Sequence, residues 1–161
     1  MKNSPEITTA GISSVLSISP SEEDHFVLQD ILNLLDGSLD PHRTFLLKSC
    51  SRLSTALSTL RDYPYEVVVC ERDLLPGSWK DVLDLVTIVP DPPPLIVTSR
   101  LADERLWADA LNLGAFDVIA KPFARMETMR VIGAAWRAWG GRLPARKERP
   151  KCMAAAAGGT M

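Results

Sequence analysis

Apolar and polar positions along the chain fall into two alternating patterns. Short apolar runs of strand length recur, and each is followed by a longer segment whose apolar residues lie three or four positions apart. The first pattern is typical of β-strands, and the second of helices with one buried face. The predicted strands are residues 12–19, 43–49, 65–71, 95–99 and 116–121. The predicted helices lie within residues 22–37, 51–64, 78–89, 102–114 and 124–141.

Two of the predicted helices have a clear candidate for the buried stripe. In the first helix these residues are Phe26, Val27, Ile31, Leu34 and Leu35, and Gly37 is placed to end the helix. In the last helix they are Met126, Met129, Ile132 (or Gly133) and Trp136. We expect Gly114 to end the fourth helix, since glycine readily adopts the left-handed conformation found there.

Five strand–helix pairs in strict alternation predict an α/β fold. The sheet is expected to be parallel and covered by helices on both faces. The near-continuous apolar run from Val67 to Cys70 is typical of a strand buried on both faces. Residues 12–139 therefore form one predicted domain. Residues 1–11 are predicted to be a flexible N-terminus, and residues 140–161, polar and then of low complexity, a disordered tail.

Composition narrows the class of protein. The 161 residues carry a net charge of −2 and three cysteines without metal-like spacing. No signal peptide and no apolar run of membrane-spanning length occur, so we expect a cytoplasmic protein that does not contact a membrane. The tail segment "RLPARKERPK" has five basic residues against Glu148. We interpret it as a solvated linker, with nucleic acid or an acidic partner as the less favoured alternative.

Polar residues at the strand ends indicate where a site would be. In a parallel α/β sheet ligands bind outside the carboxyl ends of the strands. Glu71, Ser99 and Lys121 end the third, fourth and fifth predicted strands, so a carboxylate, a hydroxyl and an ammonium should meet at one rim. The alternative to a functional site is a purely structural role, in which these three residues form a buried ion pair with a capping serine.

From Ile12 to Trp139 the sequence resembles the receiver domain of bacterial two-component response regulators. The resemblance rests on "VVVCERDLLPG", "PPLIVTS" and "LNLGAFDVIAKPF". It implies a flavodoxin-like (βα)5 three-layer sandwich with strand order 2-1-3-4-5, a role in phosphorelay signal transduction rather than an enzymatic one, and a cis peptide bond between Lys121 and Pro122.

The departures from the family pattern lie in the site itself. The phospho-acceptor aspartate falls on Glu71, and the acidic pair that holds Mg²⁺ falls on Ser19 and Pro20. Ser99 and Lys121 alone match in type, and Val118 stands where the switch aromatic is usual. Glu71 and Lys121 by themselves sum to zero charge, so we predict that no metal or other cofactor binds and that the site stays unphosphorylated.

Other carboxylates leave alternatives open. Residues 19–22 fit a capping box, and Ser21 with Asp24 fits another, so we interpret this loop as a helix start. Glu22, Glu23 and Asp24 suit the helix dipole, but they could instead rebuild a metal site. Asp73 is a possible substitute acceptor. Glu71 paired with Lys121 is compatible with partial imitation of the phosphorylated state and equally with a locked inactive state.

The resemblance directs attention to the face formed by helix four, strand five and helix five. The candidate interaction residues there are Trp107, Arg130, Trp136 and Trp139. The alternative interpretation of Trp107 and Trp136 is that they simply pack on the sheet, whereas we expect Trp139, close to the helix end, to be exposed. The expected partner is a histidine kinase, an output protein or a second copy of the chain.

Three functions are compatible with the sequence. The favoured one is a pseudo-receiver that binds protein partners independently of phosphorylation. The alternative is a working receiver that uses Mg²⁺ and accepts phosphate on Glu71 or Asp73. A small nucleotide- or flavin-binding enzyme is third, but the sequence contains no phosphate-binding glycine motif and no nucleophile elbow.

Overall fold

The computed structural model describes residues 11–142. Its main strands are β1 (Gly11–Ile18), β2 (Arg43–Cys50), β3 (Val67–Glu71), β4 (Leu95–Ser99) and β5 (Asp117–Ala120). Its helices are α1 (Glu22–Leu35), α2 (Leu53–Asp62), α3 (Trp79–Val86), α4 (Glu104–Leu113) and α5 (Arg125–Arg142). The predicted flexible start and disordered tail fall almost wholly on residues 1–10 and 143–161, outside the described residues.

The five main strands form one parallel sheet in the order β2-β1-β3-β4-β5. This confirms the predicted flavodoxin-like fold and the order 2-1-3-4-5. A short antiparallel hairpin, Asp73–Leu74 with Gly77–Ser78, connects β3 to α3. All five parallel strands therefore end at the same rim, where the predicted site residues are.

The sheet separates two apolar layers. Leu16, Val68 and Val97 point toward α2, α3 and α4, whereas Val15 and Val69 point toward α1 and α5. This alternation follows from the two-residue period of a strand. Burial on both faces explains why the central strands are near-continuous apolar runs in the sequence.

Local sequence signals fix several helix ends. Ser78 and Asp81 form a reciprocal capping box at the start of α3. Asp103 accepts a hydrogen bond from the backbone N–H of Leu106 at the start of α4. Gly114 ends α4 with φ of 108°, as predicted, because this conformation costs glycine little.

The predicted buried stripe of α1 is partly wrong. Phe26 is 72% exposed and Leu34 is also exposed, while Leu28 and Leu32 are buried. The true stripe also includes the polar residues Asp24 and His25. The predicted and the observed sets of buried residues both fit a helical period. The apolar residues alone favoured the predicted set, because the buried side of the helix also contains two polar residues.

The stripe of α5 is displaced in the same way. Met126 is exposed, whereas Thr128, Val131, Ala135 and Trp139 are buried at spacings of three and four residues. The prediction that Trp139 is exposed was therefore wrong, since it is only 7% exposed. The helix continues to Arg142, so Trp139 lies within it and on its buried side.

Among residues 11–142, no helix is both long enough and apolar enough to cross a lipid bilayer.

Candidate functional site

The rim at the carboxyl ends of the strands contains a buried cluster of charges. Lys121 Nζ lies 2.5 Å from Glu71 Oε2 and 2.7 Å from Asp24 Oδ2. The side chains of Lys121, Asp24 and Glu71 are only 8%, 9% and 11% exposed. One ammonium thus bridges two carboxylates, one from β3 and one from α1. We call these three residues the lysine bridge.

The sequence suggested a capping or helix-dipole role for Asp24, with a part in a rebuilt metal site as the alternative. In the structure its Oδ2 accepts hydrogen bonds from Ser19 Oγ at 2.7 Å and from Lys121 Nζ. The helix begins at Glu22 after Ser21, whose side chain makes no capping hydrogen bond. Neither predicted capping box forms: Ser19 Oγ bonds to Asp24 and to the backbone N–H of Ser21, and Asp24 points inward to the lysine instead of back to the helix start.

Ser19 and Pro20 occupy the loop between β1 and α1. Ser19 is buried, and its Oγ accepts a hydrogen bond from the backbone N–H of Ser21 at 3.1 Å while donating to Asp24. Pro20 is exposed and precedes the first helical residue by two positions. The serine therefore orients Asp24, and the proline has no polar group to offer a ligand.

Two neighbouring residues of β4, Thr98 and Ser99, place hydroxyl groups at the rim. Thr98 Oγ1 donates to Glu71 Oε2 at a long 3.4 Å. The predicted partner, Ser99, lies at the same rim, but its Oγ accepts from the backbone N–H of Leu101 at 3.0 Å. Ser99 therefore shapes the loop after β4, and Thr98 is the hydroxyl residue that contacts Glu71.

Electrostatics favour a charged lysine in this cluster. Burial by itself would lower the pKa of Lys121, but hydrogen bonds from its ammonium to Asp24 and Glu71, and the charges of both carboxylates, outweigh that and raise the pKa. The cluster then sums to −1. The predicted sum of zero counted Glu71 and Lys121 alone and needs this correction.

The described residues do not fit a divalent metal ion. Within them, no group of three or more histidine, cysteine, aspartate or glutamate side chains is arranged to hold one. An octahedral Mg²⁺ needs several oxygen ligands, and here an oxygen of each nearby carboxylate already contacts the ammonium of Lys121. A metal would have to share these carboxylates with the ammonium of Lys121.

Asp73 is placed differently from Glu71. Its Oδ2 accepts from Arg72 Nε at 3.1 Å and Nη2 at 3.0 Å, and its side chain is largely exposed. Both residues line a shallow cavity of about 260 Å³ above the lysine bridge. Asp73 is thus accessible to solvent, but it lies in an ion pair of its own.

Sequence reasoning missed the role of His25. Its Nδ1 lies 2.8 Å from Ser17 Oγ, and its Nε2 lies 3.0 Å from the carbonyl oxygen of Ser19. A carbonyl only accepts, so Nε2 carries a proton. The spacing of Asp24 and His25 from Leu28 and Leu32 was the available signal, since all four share one helical face.

Several solved structures with the same fold are described as response regulators or their receiver domains. The signal receiver domain of an HD domain-containing protein from Pseudomonas fluorescens Pf-5 superposes with a TM-score of 0.69, at 19% identity over 92% of this chain and 100% of that one. The chemotaxis response regulator CheY4 of Vibrio cholerae gives 0.64, at 12% identity over 77% and 98%. A two-component response regulator from Clostridium difficile gives 0.63, at 17% identity over 78% and 96%.

The chain has the receiver fold. No model of a known protein family and no protein with a curated description matches the sequence. The peptide bond between Lys121 and Pro122 is cis, which confirms the conformation that the resemblance implied.

The position that the resemblance assigns to a switch aromatic is occupied by a buried aliphatic side chain. Val118 is almost fully buried and packs in the layer that faces α2, α3 and α4. Phe116 is half-buried and packs in the opposite layer. Neither residue is an exposed aromatic ring beside the rim, where a rotating side chain would be needed.

The candidate interaction residues differ in accessibility. Trp107 is 36% exposed, and Arg130 is exposed and paired with Glu127. Trp136 packs on the sheet, as its alternative interpretation stated: its ring lies edge-on to Phe45, and its Nε1 donates to Glu66 Oε2 at 2.6 Å. Trp136 and Trp139 are therefore packing residues. Of the four candidate interaction residues, Trp107 and Arg130 are the ones that a partner could reach.

Proposed function

We propose that this protein is a pseudo-receiver in two-component signal transduction. It is a signalling module rather than an enzyme, and it binds protein partners without being phosphorylated. The observation that carries the proposal is the lysine bridge, in which Lys121 Nζ contacts both Asp24 and Glu71. Asp24, Glu71 and Lys121 then hold the rim together instead of taking part in the transfer of a phosphoryl group.

The chemical argument concerns charge. Phosphoryl transfer brings several negative oxygens to the acceptor, and a divalent cation normally neutralises them. Here Ser19 and Pro20 supply no carboxylate, and the two carboxylates present are engaged by Lys121. A phosphoryl donor would meet a cluster of net charge −1 with its ammonium already paired. The first step of phosphorylation is therefore disfavoured.

Partner binding is assigned to the exposed side of α4. Asp109 pairs with Lys80 of α3 at 3.3 Å, so this side of α4 faces α3. Trp107 and Leu111 are four residues apart on another side of the helix, and both are exposed. Tryptophan is enriched at the centres of protein interfaces. We expect a histidine kinase, an output protein or a second copy to contact this side, which we call the α4 face.

The proposal is tested by exposing the full chain to acetyl phosphate, and separately to beryllofluoride, with Mg²⁺ present. We expect native mass spectrometry to find neither a phosphoryl nor a beryllofluoride adduct, while a conventional receiver domain treated in parallel shows both. The variants Glu71→Gln and Asp73→Asn locate any adduct that does form. A stoichiometric adduct that either substitution removes would contradict the proposal and establish the working-receiver alternative.

A further inference from the structure

A cavity lies at the end of the sheet opposite the rim, where β4 and β5 begin. Its volume is about 410 Å³, larger than that of the cavity above the lysine bridge. The end of α3, residues 92–95, residues 114–116 and Ala138 of α5 line it, and most of these residues are apolar. We call it the strand-start cavity. It shares no lining residue with the cavity at the rim, so it is a separate feature of the fold.

Apolar side chains next to this cavity are exposed. Ile88 follows the lining residue Thr87 and is 77% exposed. Leu113 precedes the lining residue Gly114 and is 50% exposed. Removal of such apolar surface from water lowers the free energy. A chain segment that lies across the strand-start cavity would bury part of this surface together with the lining.

The chain itself continues from a point close to this cavity. Helix α5 lines the cavity at Ala138 and ends at Arg142, about one helical turn later. Pro144 disfavours continuation of the helix, so we expect the chain to leave the axis of α5 there. Residues 143–150 can span up to about 27 Å when extended, more than the diameter of about 9 Å that a sphere of this volume has. The segment is long enough to cross the cavity.

The charges of the segment and of the surroundings of the cavity are opposite. Residues 143–150 contain three basic residues and one acidic residue, so their net charge is +2. Of the described residues that adjoin the lining in sequence, one is basic, Arg137, and three are acidic. The acidic ones are Asp84, Asp91 and Asp117. The surroundings therefore sum to −2, and electrostatic complementarity favours this segment as the occupant.

We propose that residues 143–150 fold back across the strand-start cavity, with Leu143 packed on its apolar lining and the basic side chains beside the aspartates. Because the segment is tethered to α5, its effective concentration at the cavity is about millimolar, and weak contacts are sufficient. Salt weakens the ionic part of the contact. The cover is at the end of the sheet away from the rim, and the proposal stands independently of the pseudo-receiver function.

Limited trypsin digestion of the folded full chain, followed by mass spectrometry, tests this proposal. Trypsin cleaves after Arg146 and Lys147, and a synthetic peptide of residues 141–156 gives the cleavage rates of the same sequence without the domain. We expect cleavage at both positions to be at least about tenfold slower in the chain, because only the open population is cut. Leu143→Ser should raise the rate in the chain roughly tenfold, and Asp84→Asn/Asp91→Asn about fivefold.

A matched control separates this contact from general acidity and from simple closeness to the domain. Glu22→Gln/Glu23→Gln removes the same charge from exposed positions at the rim end of α1, and it should change the rate by less than about twofold. Asparagine suits position 91, where φ is 54°, because it tolerates this conformation as aspartate does. Equal rates in chain and peptide, or equal effects of the two double variants, would overturn the proposal. So would protection that falls on dilution, since the occupant would then come from a second copy.

Discussion

At the scale of single residues, one ammonium holds together two carboxylates from different elements. Glu71 and Lys121 could be placed from the sequence because both end strands that share a rim. Asp24 could not, because a carboxylate in the first turn of a helix has an ordinary explanation in the helix dipole. Its burial depends on which side of α1 faces the sheet, and that side was misjudged from Phe26 and Leu34.

The lysine bridge predicts a large effect of a single substitution. Lys121→Met leaves Asp24 and Glu71 close together without a counter-charge, and we expect it to lower the free energy of unfolding by about 3 kcal/mol. Urea unfolding at neutral pH measures this. Because the pKa of Lys121 is raised in the fold, the difference from wild type should be full below the ordinary lysine value of about 10.4 and decline as pH rises further.

Lys80→Met is the matched control for this prediction. Lys80 also pairs with an aspartate, Asp109, but the two side chains are 53% and 56% exposed. Such a pair contributes less than about 1 kcal/mol. If the two lysine variants unfolded with the same free energy, the lysine bridge would have no special importance for stability.

At the scale of elements, the sequence predicted which segments are helices better than which sides they bury. In α5 the apolar residues are spread around the helix. Met126 and Met129 therefore fitted the spacing of a buried helical side as well as Val131 and Ala135 did. The buried position of Trp139 could have been found from its spacing to Ala135 and Thr128. Its closeness to the helix end argued the other way, but Trp139 lies on the buried side of the last turn.

The two tryptophans at positions 107 and 139 should therefore respond in opposite ways to removal. Trp139→Ala is expected to cost about 3 kcal/mol of stability, because it leaves a cavity between α5 and the sheet. Trp107→Ala should cost less than about 1 kcal/mol but weaken partner binding through the α4 face. Urea unfolding and a binding assay with a captured kinase or output protein measure the two effects. A stable Trp139→Ala variant would contradict the assigned packing of α5.

At the scale of the whole molecule, the fold was predictable because two signals agreed. Strict alternation of strands and helices indicated a parallel sheet, and the motifs around Ser99 and Lys121 indicated the receiver order of strands. The site could be predicted only in part: the sequence showed that Ser19 and Pro20 supply no carboxylate, but it did not show that Asp24 brings one to Lys121. The cluster at the rim is a property of three elements, α1, β3 and the end of β5, that only the folded chain brings together.

The central claim is that Lys121 takes the place of a divalent cation at this rim. The most direct test is a Mg²⁺ titration of the ¹⁵N-labelled chain, followed by the amide signals of residues 19–25, 71–73, 99–101 and 121. We predict no saturable change up to about 20 mM Mg²⁺ in the wild type, and a saturable one in Lys121→Met, where two carboxylates become available. Saturation of those signals in the wild type at millimolar Mg²⁺ or below would contradict the claim.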